Sequence, residues 1–116
     1  MANFSILNEI PIGAVIANAF AGSAFEFLGR DSRVTIAQTC EAAGVSTITS
    51  TIQFGAEVQL EEGAVNVEAL AGRGPLMPED IVVDDVAAAG DRLVSRLTST
   101  NAAIIDVRTK VRIIPV

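Results

Sequence analysis

Histidine, tryptophan and tyrosine are all absent from this chain of 116 residues. Histidine is the usual general base near neutral pH, so its absence excludes Ser-His and Cys-His nucleophile pairs within one chain. The missing tryptophan and tyrosine remove common aromatic platforms for ligands. Catalysis would therefore have to depend on carboxylates. We expect no enzyme, no catalytic residues, no cofactor and no metal site.

Positive charge is also scarce, since Lys110 is the only lysine and the formal net charge is −6. A chain without a cationic field is not drawn as a whole to nucleic acid or to anionic lipid. Cys40 is the only cysteine, so we expect a small core residue in a reducing compartment and no internal disulfide. We predict no signal peptide, because the acidic residue Glu9 interrupts the segment that precedes the first apolar run.

Apolar residues, in contrast, are abundant: they make up 50% of the chain, and the mean hydropathy is +0.47. The length predicts a single domain over residues 1–116, which is too small to bury so much apolar surface. Part of that surface is therefore expected to contact another chain or a membrane.

The clearest pattern runs from Thr47 to Glu61, where polar residues alternate with apolar or small ones. Strand side chains point to opposite faces in turn, so the pattern predicts one long strand with a buried face. Glu62-Gly63 then has the composition of a tight turn, which predicts a long central hairpin over residues 46–70. The apolar pairs in that register are Leu60 with Val65, Val58 with Val67, and Ala56 with Ala69.

Two further segments alternate in the same way and predict strands. Residues 33–40 form the first, and residues 102–115 form a C-terminal strand. One face of the C-terminal strand carries Ile105, Val107, Thr109, Val111 and Ile113. The opposite face carries Asp106, Arg108, Lys110 and Arg112. This strand is therefore expected to have one face in the core and one charged face.

Two other segments place apolar residues three and four apart, which is typical of a helix. The first, about 11–28, has Pro11 in its first turn and Gly29 where a C-terminal cap is expected. The second, about 79–100, begins with acidic residues and carries basic ones towards its end, as the helix dipole favours. The alternatives for residues 10–28 are a membrane-embedded segment, or a strand or irregular structure. We predict an α+β fold with both helices on the apolar face of an antiparallel sheet of about four strands.

Charged residues are expected to join the strands of this sheet. The hairpin register places Glu57 opposite Glu68, an unfavourable pair that requires cations nearby. We define an acidic row, Glu57, Glu61 and Glu68, and a basic row, Arg108, Lys110 and Arg112. These two rows are the predicted interaction site, and they pair either within the sheet or between neighbouring subunits. Nucleic acid contact through the basic row is an alternative, although three cations attract phosphate only weakly.

The surplus of apolar residues and the lack of catalytic side chains favour a structural role. We expect a non-enzymatic subunit that self-assembles into a shell, ring or fibre, such as a virus or phage coat or decoration protein. Its partners would be copies of itself and other structural proteins, and its location a virion or the cytoplasm. The alternative is a small dimeric ligand-binding or regulatory α+β module. Membrane contact through residues 10–28 is a further alternative.

Overall fold

The computed structural model describes residues 2–41, 48–68, 74–77, 79–100 and 104–116. These residues form strands and no helix, so the predicted α+β class is wrong and the described part of the chain is all-β. The strands are β1 (Ala2–Ile10), β2 (Val15–Ile16), β3 (Ser32–Glu41), β4 (Ile48–Phe54), β5 (Glu57–Ala64), β6 (Asn66–Val67), β7 (Ile81–Ala87), β8 (Leu93–Ser99) and β9 (Ile105–Pro115).

The strands form two sheets. In the first sheet β9 lies between β1 and β3, and the far side of β3 pairs antiparallel with β7 and in parallel with β6. The second sheet has the order β2-β8-β4-β5. One apolar cluster contains Ile36 of β3, Ile52 of β4 and Leu93 of β8. The two sheets therefore pack face to face around a shared core, as in a β-sandwich.

The strands predicted at residues 33–40 and at the C-terminus are confirmed. β3 contains the first, with Cys40 fully buried, and β9 covers the described part of the second. Residues 102 and 103 lie outside the described residues. Along β9, the expected core face is buried and the expected charged face is half-buried, as the alternation predicts.

The helix predicted over about 11–28 is wrong, because this segment contains β2 and a series of turns. The Asn18 side chain holds the segment against β8. Its Oδ1 accepts hydrogen bonds from the N–H groups of Phe20 and Ser95, and its Nδ2 donates to the carbonyl of Leu93. Phe20 is fully buried, so the apolar residues of this segment fill the sandwich core instead of forming a helix face.

The helix predicted over about 79–100 is also wrong, because this segment folds into β7, a turn and β8. Gly90 lies in the turn with a φ of +87°, a conformation that glycine adopts without steric cost. The branched residues Val82, Val83 and Val86 favour a strand. The buried residues of β8 are two apart: Leu93, Ser95, Leu97 and Ser99. This is the period of a strand, and the two buried serines obscured it in the hydrophobic pattern.

The central hairpin turns at a different place from the one predicted. The chain reverses after Phe54, which pairs with Glu57, and Gly55 in the turn has a φ of +62°. Glu62, expected in the turn, instead lies at a bulge inside β5 with a φ of +47°. The single strand predicted over residues 47–61 is therefore divided into two arms, β4 and β5.

The apolar pairs predicted across that hairpin are wrong for the same reason. The observed pairs include Ile52 with Leu60 and Gln53 with Val58. Ala69, the expected partner of Ala56, lies outside the described residues. Gly55 suits the observed turn, because glycine adopts its positive φ without steric cost. Its N–H also donates to the carbonyl of Arg92 at 2.9 Å, which ties the turn to a residue far away in the sequence.

A buried polar cluster joins the two sheets. Gln38 of β3 is fully buried, and its Nε2 donates to Oγ of Ser95 at 2.9 Å and to Oγ1 of Thr109 at 3.2 Å. Oγ of Ser95 also lies 3.2 Å from Oγ of Ser50, and either hydroxyl can donate. A shift of one sheet over the other would leave these buried groups unpaired, which is costly. The cluster therefore fixes how the sheets align.

Replacing Ser95 with alanine tests this role. Ser95→Ala removes one acceptor of the buried Gln38 amide, and we expect the free energy of unfolding to fall by about 1–3 kcal/mol. Ser5→Ala, on the exposed face of β1, is the control and should change it by less than about 0.5 kcal/mol. Both are compared by denaturant unfolding at one protein concentration. Equal effects of the two substitutions would contradict this role.

Candidate functional site

The basic row lies on the outward face of β9, in the middle of the first sheet. The strand register identifies the neighbours of its two C-terminal members. They are uncharged: Ser5 and Ala37 beside Lys110, and Asn3 and Thr35 beside Arg112. The centre of this face is therefore flanked by short side chains that do not neutralise the two cations.

Arg108, the first member of the basic row, is paired within the chain. Its Nε lies 3.0 Å from Oε1 of Glu41 on the neighbouring strand β3. The two side chains are only 30% and 21% exposed, which reduces screening by water. Glu41, which the sequence analysis did not single out, thus neutralises Arg108 in place of the acidic row.

A second ion pair lies towards the other edge of the same face. Arg33 of β3 donates two hydrogen bonds to Asp84 of β7, from Nε to Oδ1 at 2.9 Å and from Nη2 to Oδ2 at 2.7 Å. Thr35 adds a third from its hydroxyl to Oδ1 at 3.0 Å. A forked contact of this kind holds both side chains in a fixed orientation.

These contacts favour the charged form of the Asp84 carboxyl. The hydrogen bonds from Arg33 lower its pKa below the ordinary value of 3.8, and the Thr35 hydroxyl and the charges of Arg33 and Arg112 act in the same direction. Partial burial opposes this shift but does not cancel it. Asp84 therefore stays ionised near neutral pH and neutralises Arg33.

Lys110 and Arg112, which we call the cation pair, have no such partner. Within the described residues Lys110 makes no ion pair, and Nε of Arg112 is buried with no hydrogen-bond partner. The two positive charges lie about 7 Å apart along one strand. Lys110 has no counter-ion in the described residues, and Arg112 acts on Asp84 through its charge without forming an ion pair with it. They are the part of the predicted basic row that is available to an acidic ligand or partner.

A cleft of about 440 Å³ lies beside the basic row. It is lined by Ser5 and Leu7 of β1, the Gly74-Pro75 segment, and residues Arg108 to Lys110 of β9. Asp80 holds the segment in place by accepting hydrogen bonds from the N–H of Leu76 at 2.9 Å and from Nδ2 of Asn66 at 3.1 Å. The cleft residues of β1 were missed in the sequence analysis, although residues 3–10 alternate in exposure along the strand.

The acidic row is not assembled as predicted. Glu57 and Glu61 lie on β5 in the second sheet, whereas Glu68 follows β6 beside β3, where its N–H donates to the carbonyl of Cys40. Glu57 pairs with Phe54 and does not face Glu68. Because β9 pairs with β1 and β3, the C-terminal strand does not neighbour the hairpin in one sheet. Glu57 and Glu61 therefore do not share a sheet with the basic row, and pairing between neighbouring subunits stays a prediction.

A larger and more apolar cleft of about 530 Å³ lies at the end of the first sheet. Its walls include the apolar residues Phe25, Phe27, Leu28 and Pro115 and the polar residues Arg30 and Ser32. In the described part of the chain, no group of three histidine, cysteine or acidic side chains is placed to hold a metal ion. Among the same residues, none forms a helix with the length and hydropathy required to cross a membrane.

No protein-family model matches the chain, and no curated protein matches it. Among solved structures, the chain is similar to one described as the acidic stable capsid structure of Helicobacter pylori bacteriophage KHP30. The sequence identity is 12%, the TM-score is 0.44, and the alignment covers 100% of this chain and 90% of that chain. A likeness this distant carries no argument, so the function is inferred from the surfaces themselves.

The Arg33–Asp84 pair predicts a pH dependence of stability. The pKa of Asp84 is depressed in the folded state, so the pair stabilises the fold above the ordinary value of 3.8, and this contribution is lost as pH falls through the folded pKa. We expect Asp84→Asn to be less stable than the wild type near neutral pH, and the difference to shrink in acid. Denaturant unfolding across the pH range measures it.

Asp85→Asn is the matched control, because in the described residues Asp85 accepts a hydrogen bond only from the N–H of Val86. The difference in free energy of unfolding between Asp85→Asn and the wild type should change less over the same acid range than the difference for Asp84→Asn. If the free energy of unfolding of Asp84→Asn differs from that of the wild type by the same amount at every pH, the assigned role of the Arg33–Asp84 pair is contradicted.

Proposed function

We propose that this chain is a non-enzymatic structural subunit that assembles with copies of itself into a shell, ring or fibre, as a virus or phage coat or decoration protein does. The observation that carries the proposal is the edge of β1 that has no strand partner among the described residues. Other structural proteins of the same particle are further partners under this proposal, and the virion is its location.

β1 forms one edge of the first sheet. Among the described residues it pairs with β9 alone, so the backbone groups on its other side have no strand partner there. The strand has nine residues, contains no proline and carries a single ionisable side chain, Glu9. Leu7 in its middle is 54% exposed. An edge of this length and composition is open to pairing with another chain.

β5, an edge strand of the second sheet, is protected against pairing with another chain, unlike β1. β5 is interrupted by the bulge at Glu62 and exposes Glu57, Glu61 and Glu62. Bulges and charges both hinder the addition of a further strand. β1 pairs with β9 without a register shift and has no charged side chain before Glu9. This supports a role for β1 as the edge that receives a partner.

Exposed apolar side chains continue beyond this edge. Ile12 and Val15, which follow β1 in the chain, are 63% and 45% exposed. Large apolar side chains that remain in contact with water near an open edge become buried when a second chain adds to it. They account for part of the apolar surplus in the composition.

The mass in solution tests the proposal. For a chain of 12.1 kDa, we expect light scattering after size exclusion to give a multiple of this mass that rises with concentration or settles at a closed assembly. A mass of 12.1 kDa from micromolar to millimolar concentration would contradict self-assembly.

The Leu7→Lys variant tests the edge itself. A lysine in the middle of an edge strand opposes strand addition, so we expect a lower average mass than for the wild type, with the fold retained by circular dichroism. Val86→Lys is the matched control, because Val86 on β7 is also 54% exposed. If Leu7→Lys assembles as the wild type does, β1 is not the receiving edge.

The apolar cleft at the end of the first sheet supports a second candidate, a ligand-binding module. Phe27 at this cleft is 61% exposed, and Arg92 lies 5.9 Å from the centre of its ring. A chain that forms no species larger than a dimer and takes up an apolar fluorescent probe, with uptake reduced in Phe27→Ala, would favour this candidate. An assembled chain without such uptake would exclude it.

A further inference from the structure

An edge contact alone produces a limited assembly. Two copies of β1 that pair antiparallel about a two-fold axis occupy each other's edge and form a closed dimer. A shell, ring or fibre requires a second contact, made by a different surface of each copy. The uncompensated charges of the two sheets provide surfaces of this kind.

The first surface is the cation pair on the outward face of the first sheet. Its neighbours Arg108 and Arg33 are neutralised by Glu41 and Asp84, whereas Lys110 makes no ion pair in the described residues and Nε of Arg112 lacks a hydrogen-bond partner. The flanking cleft places exposed Leu7 beside these charges. The surface therefore combines an apolar contact with positive charge.

The second surface lies on the edge strand of the second sheet. We define the acidic patch as Glu57, Glu61 and Glu62, all exposed on β5. Within the described residues no cation pairs with these carboxylates, and Glu57 accepts a single side-chain hydrogen bond, from Gln59 at 3.1 Å. Val58 in the same strand is 48% exposed. This edge strand thus exposes both negative charge and an apolar side chain.

We propose that the acidic patch of one copy docks on the cation pair of the next copy, so that the chains join head to tail. The inference rests on the proposed function, since it supplies the second contact that an extended assembly needs. The two surfaces differ in sign and lie on different sheets, so the contact is heterologous and repeats from copy to copy. Such a contact closes into a ring or continues as a fibre or shell.

A second copy fits the cation pair better than nucleic acid does. Two uncompensated cations attract a phosphate backbone weakly, and the net charge of −6 repels it. Glu41 and Asp84 flank the cation pair and would lie against the phosphates. Along the described outward face of β9, no aromatic side chain is present on which bases could stack.

Charge reversal tests the contact. The cation-reversed variant carries Lys110→Glu and Arg112→Glu, and the acid-reversed variant carries Glu57→Lys and Glu61→Lys. In each one, like charges meet at the contact, so we expect the association constant to fall about a hundredfold or more and the mass to fall to that of the β1-paired dimer. The control variant, Arg30→Glu, reverses a charge at the apolar cleft, away from the cation pair, and should assemble as the wild type does.

Mixing the two reversed variants gives the decisive comparison. The reversed cation pair of one variant then meets the reversed acidic patch of the other, and these two surfaces carry opposite charges. An equimolar mixture should therefore recover the large species that neither variant forms alone. A single chain with all four substitutions should recover it too. Failure of both to recover, with both variants folded by circular dichroism, would overturn the proposed contact.

A cross-link in the wild type keeps the test independent of the variants. A carbodiimide joins amines to carboxylates, and Lys110 is the only lysine. In a mixture of isotope-labelled and unlabelled copies, we expect peptides that join Lys110 of one copy to Glu57, Glu61 or Glu62 of another. Links from Lys110 to other carboxylates alone would overturn the contact.

The outcomes separate this inference from the proposed function. A wild type that assembles while both reversed variants assemble equally well overturns the head-to-tail contact and leaves self-assembly in place. A wild type that stays monomeric overturns both. Binding of a single-stranded DNA oligonucleotide that is lost in the cation-reversed variant, with its mass unchanged, would assign the cation pair to nucleic acid and overturn the contact.

Discussion

The ladder between β3 and β9, from Ser32–Pro115 to Glu41–Asp106, is the interaction on which the rest of the structure depends. Every other strand of the first sheet attaches to one of these two: β1 to β9, and β6 and β7 to β3. The same ladder directs Ile36 into the core and Lys110 outwards. A slip of one residue would exchange these faces, exposing the core and burying the cations. The core and the candidate site are thus two consequences of one register.

The sequence predicts both strands of this ladder but not their pairing, since the C-terminal strand was expected beside the hairpin. Residues 105–115 place an apolar or small side chain at every second position, and both faces of β9 are as expected. Residues 33–40 follow the same pattern except at Gln38, which is polar and buried. The helix over about 79–100 was predicted wrongly because buried positions are not all apolar. Ser95 and Ser99 fill core positions of β8, where hydrogen bonds between sheets satisfy Ser95, and without them the remaining apolar residues fall at helical spacing.

The candidate site was predicted in its parts but not in its arrangement. The charges of the acidic and basic rows were identified, but which strands share a sheet depends on long-range pairing that local alternation does not encode. The hairpin turn shows the same limit. Glu62-Gly63 and Gly55 both permit a turn, and the observed turn includes a hydrogen bond from the N–H of Gly55 to the carbonyl of Arg92, far along the chain. Pairing of Arg108 with Glu41 likewise required the register of β3 and β9.

We propose that this protein assembles through the edge of β1 and that opposite charges on the two sheets extend the assembly. Residue-resolved amide hydrogen exchange of β1 at rising protein concentration tests the central claim most directly. The N–H groups of residues 3–9 that do not bond to β9 should exchange fast in dilute solution and become protected as copies pair along this edge. Fast exchange of these same groups at all concentrations, in a sample that does assemble, would contradict the account.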